Sequence, residues 1–291
     1  MKRAFALLAV FVAAAGCARG SADGVATTDP KPAPSAENLV PDDYKGRFEV
    51  RATVLENQYH GPQLCTAVAD SLPPQCSGPD IAGWKWPSGT YESAVKSKWG
   101  LYLLTGTFDG KTFTLTQPPQ PPTADAVVPG SGPDFTSPCP APPGGWKATD
   151  PAKATREAME QVNALVQQDR DYGGLWIDEP AAALDPTPHT DPRRLVLNVT
   201  FTKDLDKHRA EIRKIWGGAL CVSAARHSDA ELRRIQDEVV KADDINGAAV
   251  DATTGTVTVD VLVAREGRQR NLDAKYGPQT VILHGFMKRL D

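Results

Sequence analysis

A proline- and glycine-rich segment near the middle of the chain divides it into two regions with different residue patterns. The segment runs from Gln117 to Gly145 and contains proline runs at 118–122 and 140–145. Proline lacks a backbone donor and fixes φ, so such runs interrupt both helices and sheets. The 291 residues of the chain therefore predict two domains of ordinary size, joined by a connector at residues 118–150.

The region before the connector, residues 43–117, is dominated by strand patterns. Apolar and polar residues alternate from Phe48 to Val54, which is typical of a half-buried strand. Two further strand-like runs flank Asp109-Gly110, a pair that favours a tight hairpin because both central residues of a type I′ turn need positive φ. The pattern predicts a small β barrel, with an OB-like fold as one candidate, since closure removes exposed sheet edges.

The region after the connector alternates between strand and helix patterns. A helical stretch at 151–169 and a short strand around Trp176 precede the order β-α-β-α-β-β-α-β. Ser228 and Glu231 form a capping box, which predicts the start of a helix. We expect residues 151–291 to form an α+β domain whose helices pack on one face of a mixed sheet.

The N-terminus has the features of a secretory signal peptide. Basic residues follow Met1, residues 4–15 are all apolar, and small residues precede Cys17. The apolar run is too short to span a membrane, which takes about 20 residues. We predict a signal peptide at residues 1–16 and, as in a bacterial lipobox, lipidation of Cys17 on its thiol. Ordinary cleavage, giving a secreted protein, is the alternative, because Ala14 stands where a lipobox usually has leucine.

Residues 17–42 are predicted to be the lipidated cysteine and a disordered tether. After Cys17 the segment is rich in Gly, Ser, Thr, Asp and Pro, with few apolar residues. A flexible chain of this length has a typical span of about 25–30 Å. We expect the protein at the extracytoplasmic face of the cell membrane, with the membrane itself as a partner through the lipid. The net charge of −4 gives no reason to expect a nucleic-acid partner.

The cysteine count supports the same interpretation. The chain has five cysteines, at positions 17, 65, 76, 139 and 221. An odd count in an exported protein needs an explanation, and lipid on Cys17 leaves four that can pair. Cys65 and Cys76 lie close together around a turn-rich run, so we predict that they pair and leave Cys139 for Cys221. The chain has neither a Cys-x-x-Cys nor a histidine pair at ligand spacing, so no metal or other cofactor is predicted.

Aromatic residues are the candidates for ligand binding in the first region. Trp84, Trp86, Trp99 and Tyr102 lie within or beside its predicted strands. The favoured interpretation is that their rings fill the barrel ends, since aromatic side chains bury large areas in small domains. The alternative is a glycan- or ligand-binding patch, because exposed tryptophans can stack on sugar rings.

The residue patterns do not predict catalysis. Asp260 and His284 are expected on the polar face of the predicted sheet, as a base and its orienter, but no nucleophile is identifiable. Together with Asn198 they would leave this face open for docking. Asp178 and Glu179 are adjacent carboxylates that need not converge. The nucleophile-elbow, phosphate-loop and zinc-protease motifs are absent. A hydrolase of envelope polymers that uses these carboxylates remains an alternative.

Several short runs, taken together, resemble a group of uncharacterised actinobacterial exported lipoproteins. These runs are Gly61 to Cys65, Ser71 to Pro79, Pro138 to Pro140 with Gly144 to Trp146, Ile215 to Val222 and Leu272 to Pro278. The resemblance covers both predicted domains and implies an envelope lipoprotein of this architecture, with no activity attached. We therefore expect a surface-anchored binding or scaffolding protein rather than an enzyme, with an envelope polymer or another envelope protein as its partner.

Overall fold

A closed β barrel forms the N-terminal part of the computed structural model, which describes residues 29–122, 134–180 and 191–290. Its strands are β1 (Phe48–Glu56), β2 (Gln63–Cys65), β3 (Asp80–Ala82), β4 (Glu92–Ala94), β5 (Ser97–Phe108) and β6 (Thr112–Leu115). Five strands close the barrel in the order β1-β2-β3-β6-β5, because β5 pairs back with β1. β3 and β6 are parallel, and the other neighbours are antiparallel. The predicted barrel is confirmed.

The barrel core and its tightest turn follow from local sequence. The alternating apolar residues of β1 are buried against Tyr102 of β5 and Phe113 of β6. At the predicted hairpin, the Asp109 carboxylate accepts hydrogen bonds from the backbone N–H groups of Thr112 and Lys111, at 2.7 and 2.8 Å. These bonds lower the pKa of Asp109. The next residue, Gly110, has a φ of 103°, which only glycine adopts readily.

The second part of the protein has the predicted α+β composition. Its elements are α1 (Arg156–Val166), β7 (Tyr172–Asp178), β8 (Val196–Phe201), α2 (Leu205–Ile215), β9 (Ala219–Ala224), α3 (Asp229–Val239), β10 (Ile245–Asp251), β11 (Thr256–Val261), α4 (Glu266–Tyr276) and β12 (Val281–Gly285). The Ser228 hydroxyl accepts the backbone N–H of Glu231 and caps α3, as predicted.

The prediction of one mixed sheet beneath these helices is wrong. The strands form two three-stranded sheets, in the orders β7-β8-β9 and β10-β11-β12. In each sheet the first pair is antiparallel and the second is parallel. Each sheet also has its own core, with α1 and α2 packed on the first sheet and α3 and α4 on the second. The order of strands and helices along a chain does not fix their partners, because long-range packing decides the pairing.

The two sheets belong to two copies of one αββαβ unit. The helices all have 11 residues, the first strands have 7 and the second strands have 6. The strand register shifts between Tyr172 and Gly174 of β7, and β10 has the same irregularity at its start. We call residues 156–224 the first unit and residues 229–285 the second unit.

The connector covers the sheet face of the first unit that was predicted to be open. Asn198 is completely buried and lies in register between Trp176 and Cys221. The Trp176 indole Nε1 donates a hydrogen bond to the Phe135 carbonyl at 3.0 Å. Cys139 packs in the same cluster as Cys221. The prediction of an open polar face therefore fails in this unit, because the proline-rich segment folds onto it.

Both predicted cysteine pairs lie at disulfide distance, with Cα atoms 5.7 Å apart in each pair. The bond between Cys65 and Cys76 closes the connection from β2 to β3. The bond between Cys139 and Cys221 joins the connector to β9. Both predicted pairings are confirmed.

Residues 29–42 and the last strand connect the two parts of the molecule. The last strand, β13 (Lys288–Arg289), pairs with β1 of the barrel. Residues 29–42, predicted as part of a tether, lie along the fold: Val40 is completely buried in the barrel core. A hydrogen bond from Lys31 lowers the pKa of the Asp134 carboxyl to about 2. The segment was predicted to be disordered because one buried valine among Pro, Ala and Ser is a weak signal.

Candidate functional site

An aromatic cluster lies beside the end of β1 and packs against the barrel core. We call Trp84, Trp86, Tyr91 and Tyr102 the barrel-end cluster. The ring centroid of Trp84 lies 5.2 Å from that of Trp86 and 5.1 Å from that of Tyr102. Both pairs meet edge to face. Trp86 and Tyr91 are 5.2 Å apart. Such pairs each contribute about 0.5–1.5 kcal/mol beyond their burial, so the cluster stabilises this end of the barrel.

Hydrogen bonds fix two members of the cluster. The Trp86 indole Nε1 donates to Glu56 Oε2 at 2.5 Å. The Tyr102 hydroxyl donates to the Thr90 carbonyl at 2.8 Å. The Trp84 Nε1 is buried and has no hydrogen-bond partner among the described residues. The Trp86 and Tyr102 rings are therefore held in place by hydrogen bonds within the fold.

The four aromatic residues singled out in the sequence do not form one exposed surface. Tyr102 is only 1% exposed, and Trp99, three residues earlier on the same strand, lies on the opposite face. The partly exposed rings of the barrel-end cluster are those of Trp86 and Tyr91. The Lys98 ammonium lies 5.7 Å from the Tyr91 ring centre. Tyr91, which lies just before β4, was not predicted as a site residue, because no local pattern distinguishes it.

A shallow pocket lies beside the Trp86 and Tyr91 rings. It is lined by Glu56 and by residues 93–98 at the β4–β5 turn. Glu56 also accepts the hydrogen bond from the Trp86 indole, so it links the pocket to the barrel-end cluster. Charged, backbone and aromatic groups therefore converge at one end of the barrel.

Asp260 and His284 do meet, as the alternation of strand residues predicts. They are direct partners on the parallel strands β11 and β12. The His284 Nδ1 lies 2.9 Å from Asp260 Oδ1. Both side chains are partly exposed, at 40% and 38%. This is the geometry of a histidine oriented by a carboxylate.

The other ring nitrogen of His284 faces Glu37, a residue predicted to belong to the tether. His284 Nε2 lies 3.6 Å from Glu37 Oε2. The Glu37 backbone bonds to Leu283 and Gly285 of β12, so the N-terminal segment runs along the edge of this sheet. The two carboxylates, Asp260 and Glu37, thus flank opposite sides of one imidazole.

The remaining carboxylate candidates lie elsewhere. Asp178 accepts a hydrogen bond from the backbone N–H of Ser137 at 2.8 Å and so helps hold the connector. Glu179 is exposed at the end of β7. Across the described ranges, neither residue makes a hydrogen bond or ion pair with Asp260 or His284. The structure therefore does not assemble these candidates into one acidic site.

The predicted signal peptide and Cys17 lie outside the described residues. Within the part of the chain that the structure describes, no helix has the length and apolarity needed to cross a membrane. The chain matches no protein-family model and no curated protein.

Proposed function

We propose that this protein is a cell-surface-anchored lipoprotein of binding or scaffolding type, held at the extracytoplasmic face of the membrane through Cys17. The cysteine arrangement carries the proposal. Four of the five cysteines lie in two pairs at disulfide distance, which suits an oxidising compartment. Cys17 is the one left over, directly after an apolar leader and small residues, where a lipid would be attached.

The surroundings of His284 support a role without catalysis. In nucleophilic catalysis, a histidine held by a carboxylate turns its other nitrogen toward a hydroxyl or thiol. Here that nitrogen faces the Glu37 carboxylate. The imidazole therefore fits a polar contact that holds the N-terminal segment on the sheet edge. An envelope polymer or another envelope protein is the partner that we propose.

We expect the purified protein to release no soluble fragments from isolated cell-envelope polymers. The double variant Asp260→Asn/His284→Gln should behave identically, because neither residue faces a nucleophile. A second variant, Asp178→Asn/Glu179→Gln, tests the other carboxylates. Fragment release by the parent that disappears in either variant, with an unchanged circular dichroism spectrum, would establish the hydrolase alternative instead.

A second candidate function is ligand binding by the barrel, for which a glycan is the proposed ligand. The strand order, with β3 and β6 parallel and β5 returning to β1, supports an OB-like assignment. OB folds bind oligosaccharides and oligonucleotides through the strands and loops of one side. The partly exposed rings of Trp86 and Tyr91, next to the pocket at the β4–β5 turn, are the proposed stacking surface for a sugar ring.

Replacing Trp86 with alanine should weaken binding to isolated envelope polysaccharide about threefold to tenfold, the loss of one aromatic contact. The measurement is cosedimentation with the insoluble polymer. Trp99→Ala is the matched control, because Trp99 lies on the other face of β5. Equal losses for both variants, or no loss for Trp86→Ala, would remove the barrel-end cluster as the site.

A further inference from the structure

Three metal-ligand side chains meet in the first unit, where α1 leads into β7. Asp169 and Asp171 lie in the turn between these elements, and His208 lies in the first turn of α2. One ligand atom from each residue lies within 4.8 Å of the other two. We propose that Asp169, Asp171 and His208 bind one divalent transition-metal ion of the zinc class.

The state of His208 is the main argument. Its side chain is only 8% exposed, and Nδ1 lies 3.4 Å from Asp169 Oδ2, beyond the usual hydrogen-bond range. Nδ1 thus faces a carboxylate without a hydrogen bond of ordinary length. An ion between these two atoms would bond to both of them.

The 3.4 Å between His208 Nδ1 and Asp169 Oδ2 fits a tetrahedral ion. Zinc bonds to nitrogen and oxygen of about 2.1 Å place neighbouring ligand atoms about 3.4 Å apart. The ring is held in place by stacking on Phe201, with centroids 3.9 Å apart and planes at 4°. The Asp171 backbone N–H donates to Asp169 Oδ1 at 2.9 Å, so the turn fixes one carboxylate relative to the other. The ligands are therefore placed by the fold.

Two basic side chains now share the carboxylate of Asp171. Lys203 Nζ and Arg170 Nε lie 3.7 and 3.8 Å from its Oδ1. Both are exposed, at 51% and 84%, and exposed ion pairs of this length are weak. A divalent ion would displace them without breaking any buried contact.

The second unit has a different arrangement at the corresponding turn. Asp244 directly precedes β10, as Asp171 directly precedes β7, and it forms an ion pair with Arg268 of α4. The second unit thus places a permanent cation beside its aspartate. The first unit offers an imidazole and a second carboxylate, which are metal ligands.

One nitrogen and two oxygen donors favour zinc over calcium or magnesium, which prefer oxygen donors alone. Three protein ligands leave one position for water. The sequence did not predict this site, because its ligands come from a turn and a helix that are separated by two strands.

The test is a calorimetric titration of the chelator-treated full exported chain with ZnCl₂. We expect one equivalent to bind, and at least tenfold weaker binding in Asp171→Asn and in His208→Gln. Lys203→Met should bind several-fold more tightly, because the competing ammonium is removed. An unfolded variant would not bind zinc more tightly. The increased zinc affinity of Lys203→Met therefore tests the proposal even if His208→Gln does not fold.

The matched control is His284→Gln, which removes a histidine whose carboxylates lie on opposite ring nitrogens and cannot share one ion. Its zinc affinity should equal that of the parent. The proposal is overturned by any of four results: no zinc binding by the parent, parental affinity in Asp171→Asn, a loss in His284→Gln, or calcium binding tighter than zinc binding.

Discussion

Removal of the disulfide between Cys139 and Cys221, by changing both residues to alanine, is expected to lower the free energy of unfolding by about 4 to 5 kcal/mol. The bond closes a sequence separation of 82 residues, and the chain-entropy model gives about 4.5 kcal/mol for such a loop. The bond also holds the connector over the buried polar face of the first unit. Denaturant unfolding of the oxidised parent and variant measures the difference.

The control for this prediction is the other disulfide. Cys65 and Cys76 are separated by only 11 residues, for which the same model gives about 3 kcal/mol. We expect the loss of unfolding free energy to be larger for the Cys139–Cys221 bond than for the Cys65–Cys76 bond. If the Cys65→Ala/Cys76→Ala variant loses as much stability as the first variant, or more, the connector is not held by its disulfide in the way described.

Changing Trp216 to alanine should cost about 3–5 kcal/mol, the range for removing a large buried aromatic side chain. Trp216 is completely buried in the core of the first unit. Its indole Nε1 donates to the Ala219 carbonyl at 2.9 Å, so the variant also leaves that carbonyl without this partner. A Cβ added at Gly218 would lie within 2.1 Å of the indole, which shows how closely the backbone approaches the ring.

Leu165→Ala is the matched control, since Leu165 lies on α1 of the same unit but is 42% exposed. Its effect should be below about 1 kcal/mol, because most of the transfer and cavity contributions of a core leucine are missing. Equal effects of the two substitutions on the denaturation midpoint would contradict the complete burial of Trp216 in this core.

The sequence could predict features that depend on neighbouring residues. The alternation in β1 and the Asp109-Gly110 turn indicated the barrel, because strand period and turn chemistry are local. The two disulfides followed from the count and spacing of cysteines. The contact between Asp260 and His284 followed from the faces of two predicted strands.

Features that depend on distant pairing could not be predicted in the same way. One sheet was expected where the protein has two, because the αββαβ repeat lies in element lengths and pairing rather than in similar residues. Glu37 was missed because its partner, His284, lies at the other end of the chain. The contact between Asp169 and His208 likewise depends on how α2 packs against α1. Long-range packing, rather than local preference, decided each of these cases.

The most direct measurement of the proposed function concerns Cys17. The parent and Cys17→Ser are produced in a bacterial host supplied with labelled palmitate, and the membrane, soluble and medium fractions are compared. We expect the parent in the membrane fraction, labelled and released only by detergent, and the variant unlabelled and outside that fraction. An unlabelled parent, or a Cys17→Ser protein that remains as membrane-bound as the parent, would contradict the lipid anchor on which the proposed function depends.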